Sequence, residues 1–131
     1  MDPLDKGFEF RVERERRLLR FRMWGLWEAE DAAAFKVAFR RHHALLDPGP
    51  FQIYVDLVHF PAQLPEITEL VKEEMKYAAD QGLTRAGHAV DAAMTQFQIR
   101  RMGSESHSLE FGFFATEAEA LAWLDEHAAA V

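Results

Sequence analysis

Two stretches near the amino terminus alternate apolar and polar residues. Every second residue is apolar in Phe8–Glu13, and Leu18–Trp24 repeats this pattern. A period of two is typical of a strand that buries one face. Because the link Arg14–Arg17 is short, we predict that the two strands form an antiparallel hairpin.

A third stretch, Phe51–Val58, is apolar on both faces apart from Gln52 and Asp56. Strands that are buried on both faces lie inside a sheet, so this pattern predicts a central strand. Two weaker strands are predicted at Arg85–Val90 and Leu109–Phe114.

Apolar residues at helical spacing separate the strands. Four helices are predicted: one from Glu28 to the breaker Asp47–Pro50, one from Pro65 to Gly82, one over Ala92–Met102, and one after the capping residues Thr116 and Glu119. The order β-β-α-β-α-β-α-β-α predicts an α/β domain, a mixed five-stranded sheet covered by four helices. We expect one domain over residues 1–131.

The composition excludes several classes of protein. The chain has no cysteine and a net charge of −7. This rules out disulfides and thiolate metal sites, and it disfavours nucleic acid as a partner. No apolar run is long enough to span a membrane, and MDPLDKGFEF lacks the features of a signal peptide. We therefore expect a cytoplasmic protein.

Arginines crowd the first two strands, at Arg11, Arg14, Arg16, Arg17, Arg20 and Arg22. They are interpreted first as a solvated surface. The alternative is an arginine-rich sheet face that meets an acidic partner.

Four motifs carry a resemblance to a known family: Trp24-Gly25, the strand IYVDL, the phrase Gly82-Leu83-Thr84-Arg85-Ala86, and FGFFATEAEALAWL at Phe111–Leu124. With them the chain resembles the SpoIIAA-like group of STAS-type domains, which includes anti-sigma-factor antagonists. The resemblance implies the STAS-like fold and a module for protein interaction or for an apolar ligand.

In phosphorylated antagonists of this type, a serine or threonine follows the equivalent of IYVDL. Here the corresponding stretch Val58–Ala62 has no hydroxyl group, and the nearest, Thr68, lies inside a predicted helix. The resemblance therefore carries over no phosphorylation switch.

Candidate site residues lie after the central strand. Asp56 is interpreted as a recognition carboxylate or, with more weight, as an acceptor of backbone N–H groups at the turn over Pro61–Glu66. His59 follows it, and a His59–Asp56 pair would allow acid–base chemistry. Phe60 and Trp27 flank the same predicted edge, where an exposed apolar patch would mark a partner site.

The predicted contact surface is the loop Asp56–Pro65 with the start of the next helix, together with a neighbouring loop that contains Arg85 and His88. The polar loop contains the residue types of a catalytic triad: Ser104, Ser106 or Ser108 together with His107 and Glu105. Such close neighbours in sequence rarely reach triad geometry. No metal motif or phosphate loop is found in the sequence, so we expect no cofactor and no metal.

The leading hypothesis is a non-enzymatic regulatory or interaction module whose partner is another protein, with a weak or moderate homodimer. The alternative is a carrier of a small apolar ligand or lipid, held between helices and sheet. A third hypothesis is an enzyme that uses His59 and Asp56.

Overall fold

The computed structural model describes residues 5–91 and 109–129, and side chains as far as residue 126. Five strands form one sheet in the order β1-β2-β3-β4-β5. Their bounds are β1 Gly7–Glu13, β2 Leu18–Trp24, β3 Phe51–Asp56, β4 Leu83–Ala89 and β5 Glu110–Phe114. All five predicted strands are present, and the mixed sheet is confirmed.

The first two strands form the predicted antiparallel hairpin, in which Phe10 lies opposite Phe21. Strands β2 to β5 are parallel to one another. Strand β3 is the third of five, which confirms its central place. It ends at Asp56 rather than Val58, because the Asp56 carboxylate accepts the Val58 N–H at 3.0 Å and starts a turn.

Three helices lie in the described part of the chain: α1 Ala29–His43, α2 Pro65–Asp80 and α3 Glu117–Ala129. The Glu119 N–H donates to Thr116 Oγ1 at 3.2 Å, as the capping box predicts. The helix predicted at Ala92–Met102 and the polar loop after it lie outside the described residues.

Helices α1 and α2 cover one face of the sheet. Phe35 and Phe39 of α1 and Ile67 of α2 pack against side chains such as Phe21 and Ile53. The rings of Phe21 and Phe35 have centroids 5.5 Å apart, and Phe21 also meets Phe39 at 5.8 Å. Burying a side chain of this size contributes about 2–3 kcal/mol, so this face holds the main core.

An ion pair with one buried partner joins the two helices. The guanidinium of Arg40 contacts the Glu74 carboxylate through two hydrogen bonds of 3.2 Å, and it lies 3.9 Å from the centre of the Tyr77 ring. The Glu74 side chain is only 4% exposed. A carboxylate so deeply buried needs a partner, so Arg40 fixes α2 against α1.

Helix α3 packs on the opposite face, where Ala120 and Leu124 contact Leu18, Tyr54 and Ala89. Beyond this small core the face carries charged side chains. Arg22 pairs with Glu9, Arg20 pairs with Glu13 and Glu117, and Arg16 pairs with Asp125 and Glu13. These three bases and four acids lie on the hairpin and on α3.

The arginine-rich sheet face is therefore largely neutralised within the protein. Arg14 and Arg17 instead donate to backbone carbonyls, those of Leu45, Asp47 and Pro50. Within the described ranges, Arg11 alone of the six makes no ion pair or hydrogen bond. The solvated, internally paired surface fits these contacts better than a free basic face does.

Candidate functional site

A cleft of about 720 Å³ opens at the carboxyl ends of β2 and β3. This edge is where ligands and partners of parallel α/β sheets usually bind. The cleft is lined by Asp5, Arg22, Met23, Trp24, Gly25, Asp56, Val58, His59, Phe60 and Pro61. It is called the carboxyl-edge cleft below.

One wall of this cleft depends on Gly25, whose φ is +81°. A Cβ at this position would collide with the backbone of Asp5 and Lys6. The Gly25 N–H also donates to the His59 carbonyl at 3.1 Å. The loop after β2 and the loop after β3 are thus held together, which explains the Trp24-Gly25 step in the sequence.

Gln63 joins the same two loops through its buried side chain. Its Oε1 accepts the Trp27 N–H at 2.8 Å, and its Nε2 donates to the carbonyls of Gly25 at 3.1 Å and Pro61 at 2.8 Å. Sequence analysis did not select this residue. The only available signal was a glutamine in an otherwise apolar loop.

Asp56 is held by a local bond. Its carboxylate accepts the Val58 N–H, so the interpretation as a backbone acceptor fits, but the bond lies at Val58 and not at the Pro61–Glu66 turn. Burial raises the pKa of the neighbouring Tyr54 to about 12, and the negative charge of Asp56 adds to the increase. The Tyr54 hydroxyl is therefore neutral at neutral pH.

His59 is exposed at the rim of the cleft. No hydrogen bond or ion pair joins its side chain to Asp56, or to any other side chain among residues 5–91 and 109–126. The acid–base pair considered from the sequence is not formed in this structure. What His59 offers is an accessible polar ring beside an apolar floor.

Phe60 and Trp27 do not form the exposed apolar patch that was expected. Phe60 is 4% exposed, Trp27 is fully buried, and their ring centroids lie 5.2 Å apart. Both side chains turn inward because the core under α1 offers aromatic contacts. Phe60 lines the floor of the cleft, and Trp27 supports it from below.

The exposed apolar residues at this edge are instead Leu26 and Leu64, at 53% and 51% exposure. Leu26 precedes Trp27 in the chain, and Leu64 follows Gln63. Because a hydrogen bond joins Trp27 to Gln63, the two leucines lie in loops that contact each other. Exposed apolar side chains near a cleft are typical of binding surfaces.

Arg85 and His88 do not line this cleft, and the segment that holds them is strand β4 rather than a loop. Arg85 lies beside Gln52, four residues before Asp56 in the register, or roughly 13 Å along the strand. His88 is fully enclosed, with its ring stacked on Phe111 and Phe113 at 5.5 and 5.0 Å. Burial lowers the pKa of His88 to about 4.

Arg22 and Trp24 are cleft residues that the sequence pattern did not select. Their side chains project from alternate positions of β2, and the guanidinium lies 4.5 Å from the Trp24 ring centre. Arginine and tryptophan are enriched among the residues that dominate binding energy at protein interfaces. A cation held over an aromatic ring is also ordered before a partner arrives.

Metal ligands are not clustered in the described part of the chain. The described residues contain no group of three or more His, Cys, Asp or Glu side chains suited to a metal ion. They also contain no helix with the length and apolar character of a membrane span.

Comparison with known proteins supports the fold. No family model and no curated protein matches the chain. It is similar to the structure of an uncharacterized DUF3478-family protein with a SpoIIAA-like fold from Shewanella loihica PV-4, at 18% identity, 95% coverage of this chain, 98% of that chain and a TM-score of 0.72. It is also similar to an anti-sigma factor antagonist from Mycobacterium paratuberculosis, at 13% identity, 91% and 95% coverage and a TM-score of 0.57. The chain therefore has the SpoIIAA-like fold, as the resemblance predicted.

Proposed function

We propose that the chain is a non-enzymatic regulatory module that binds another protein at its carboxyl-edge cleft. The observation that carries this proposal is the composition of the cleft and its border. An arginine stacked on a tryptophan, an exposed histidine and a buried aromatic side chain line the cleft, and two exposed leucines lie in the loops that form its walls. Interfaces between proteins combine an apolar centre with a polar rim in this way.

The contacts around the cleft favour binding over turnover. Asp56 is engaged with the Val58 N–H, and His59 has no side-chain partner within the described ranges. A general base needs a partner that sets its orientation and protonation, and a reacting group within hydrogen-bond reach. The geometry supplies a surface for contact more readily than an acid–base pair.

The similar proteins support a regulatory role by analogy. One of them is named as an anti-sigma factor antagonist, and its partner is therefore a protein. The corresponding edge of this chain carries no serine or threonine among the cleft residues, and the Thr68 hydroxyl donates to the Leu64 carbonyl inside α2. We propose that binding here is not controlled by phosphorylation at this edge.

Charge reversal at two positions, one in the cleft and one control outside it, tests the proposal. The tagged full chain would capture a partner from the source cell, and the same capture would be repeated with Arg22→Glu in the cleft and Lys36→Glu on the exposed side of α1. Loss of an interface hot spot costs about 2 kcal/mol or more, or roughly thirtyfold in affinity. We expect Arg22→Glu to abolish capture and Lys36→Glu to leave it intact.

Two results would contradict this function. Equal capture by both variants would place the partner elsewhere on the molecule. Turnover of a substrate that disappears in His59→Ala, with folding unchanged, would favour the enzyme hypothesis instead.

The carrier hypothesis has less support, because it requires a ligand cavity between the helices and the sheet. Between the sheet and helices α1 and α2, the described side chains leave a cavity of about 20 Å³, bordered by Phe21, Val55, Met75 and His88. Such a volume has room for about one water molecule, whereas small-ligand sites measure about 300–1,000 Å³.

A further inference from the structure

A second cleft, of about 440 Å³, lies at the opposite edge of the sheet. It is bounded by the amino ends of β2, β3 and β4 and by the end of α3, where Leu124 and Asp125 face it. Its volume falls within the range of small-molecule sites. It is called the amino-edge cleft below, and the function proposed above makes no use of it.

Gln52 brings an unpaired amide to this cleft. The residue is only 8% exposed, yet its side chain makes no hydrogen bond to any part of the chain that the structure describes. Among the described residues, Arg85 Nε is the one buried side-chain nitrogen or oxygen without a partner, so the Gln52 amide itself reaches the open space of the cleft. An amide that lines a cleft and has no protein partner is therefore suited to a ligand.

Arg85 adds a second unpaired donor directly beside it. Gln52 and Arg85 are neighbours in the register of β3 and β4, so their side chains rise from the same face. The Arg85 Nε is buried and has no hydrogen-bond partner in the described structure. Glu110 Oε2 lies 3.5 Å away, near enough for attraction between charges, but the geometry is not that of a hydrogen bond.

The hydrogen-bond donors of the cleft select the ligand further. Arg16 pairs with Asp125 and Glu13, and Arg85 lies near Glu110, so acids of the protein balance these two charges. Arg17 donates to backbone carbonyls and pairs with no acid among the described residues. Amide and guanidinium donors of this kind suit a carboxylate, which accepts hydrogen bonds only.

Apart from Thr84, whose hydroxyl donates to the Phe51 carbonyl, the rest of the lining is apolar. Leu18 and Leu124 are each at most 2% exposed, and they border the cleft beside the polar pair. We propose that the amino-edge cleft binds a small organic monoanion, whose carboxylate accepts from Gln52 and Arg85 and whose flat apolar body packs on these two side chains. Such a site would let a metabolite regulate the module from the edge opposite its protein contact.

The test uses 2-naphthoate as the probe, with 2-naphthamide as the neutral analogue of the same shape. Each is titrated into the full chain while the side-chain signals of Gln52 and Arg85 are followed by NMR. We expect saturable shifts with naphthoate, a dissociation constant of the order of 1 mM for a ligand of this size, and binding at least fivefold weaker for the amide.

Variants separate this site from other surfaces. Gln52→Leu keeps an apolar volume but removes the amide, and Gln52→Glu adds a repelling charge, so we expect about tenfold weaker binding in the first and none in the second. His59→Ala, in the other cleft, should bind as the wild type does. Unsaturable shifts, shifts confined to other residues, or equal binding by Gln52→Glu would overturn the proposal.

Failure of this proposal is distinguishable from failure of the proposed function. Gln52→Leu should still capture the protein partner, because the amino-edge cleft lies at the other end of the strands.

Discussion

The two faces of the sheet differ sharply although they are built from alternate residues of the same strands. The face under α1 and α2 is aromatic and filled, and the cavity described there holds about 20 Å³. The face under α3 carries paired charges, and clefts of about 720 and 440 Å³ open at its two edges. Adjacent residues such as Phe21 and Arg22 belong to different faces, and so to different tasks.

The difference shows that one strand can contribute to stability with one face and to recognition with the other. A filled aromatic layer gives the chain a fixed shape, because removing any one ring leaves a void. A charged layer contributes little to stability, since surface ion pairs are worth at most about 1 kcal/mol, but it can change its contacts when a partner arrives.

The largest predicted effect tests this contrast between the two faces at two neighbouring positions. Phe21→Ala should lower the free energy of unfolding by about 3–5 kcal/mol, because it empties space among Phe10, Phe35 and Phe39. Arg22→Ala should lower it by less than about 1 kcal/mol, since its ion pair with Glu9 is half exposed. Denaturation by urea measures both, and equal losses would refute the division.

The next effect concerns the hydrogen bonds that shape the carboxyl-edge cleft. Gln63→Leu should cost about 2–3 kcal/mol, because the buried Trp27 N–H and the Gly25 carbonyl lose their partner. Hydrogen exchange should rise at the Trp27 amide. Thr68→Ala, at an exposed position of α2, is the control and should change exchange there little; unchanged exchange in Gln63→Leu would mean that Gln63 does not hold the loops.

A pH effect follows from His88 on the filled face. Its folded pKa of about 4 is below its usual value of 6.5, so the unfolded chain takes up the proton first as the pH falls. Stability should be complete above about pH 7 and should fall by about 2 kcal/mol between about pH 7 and pH 4.5.

His88→Phe isolates this contribution, because the acids and the other histidines are common to both proteins. The variant should lose less stability than the wild type over the same pH interval, as measured by unfolding at each pH. Identical pH profiles would show that His88 is solvated or paired.

The smallest predicted effect concerns the outer edge of the charged face. We propose weak self-association through β1, because an antiparallel pair of β1 strands centred on Phe10 sets Glu9 of each copy opposite Arg11 of the other. Cross-strand pairs of opposite charge contribute about 0.2–1 kcal/mol. Arg11→Glu should remove dimers seen by sedimentation at high concentration, and Arg11→Glu with Glu9→Arg should restore them; a monomeric wild type would contradict this.

The strands and helices were predictable because they depend on short-range patterns. The alternation in Leu18–Trp24 reproduces β2 residue for residue, and the Thr116 capping box marks the start of α3. The apolar run at Phe51–Val58 identified the central strand but placed its end two residues late, since the turn depends on the Asp56 carboxylate.

The candidate site was only partly predictable, because it depends on which loops meet. Asp56, His59 and Phe60 share the carboxyl-edge cleft as expected from their nearness in sequence. The role of Gln63 depends on loops 36 and 38 positions away, which no local pattern encodes. Arg85 and His88 fall in the weak strand predicted at Arg85–Val90, which the structure confirms as part of β4; it was wrong to treat the same residues as a loop of the contact surface.

Site-specific photo-cross-linking tests the central claim most directly. A photoreactive residue would replace Leu26, 53% exposed beside the carboxyl-edge cleft, and in a matched variant Val37, 56% exposed on α1. We predict one defined cross-linked protein from Leu26 in the source cell, lost when Arg22→Glu is added, and none from Val37. A partner that cross-links equally from both positions, or only from Val37, would contradict the account.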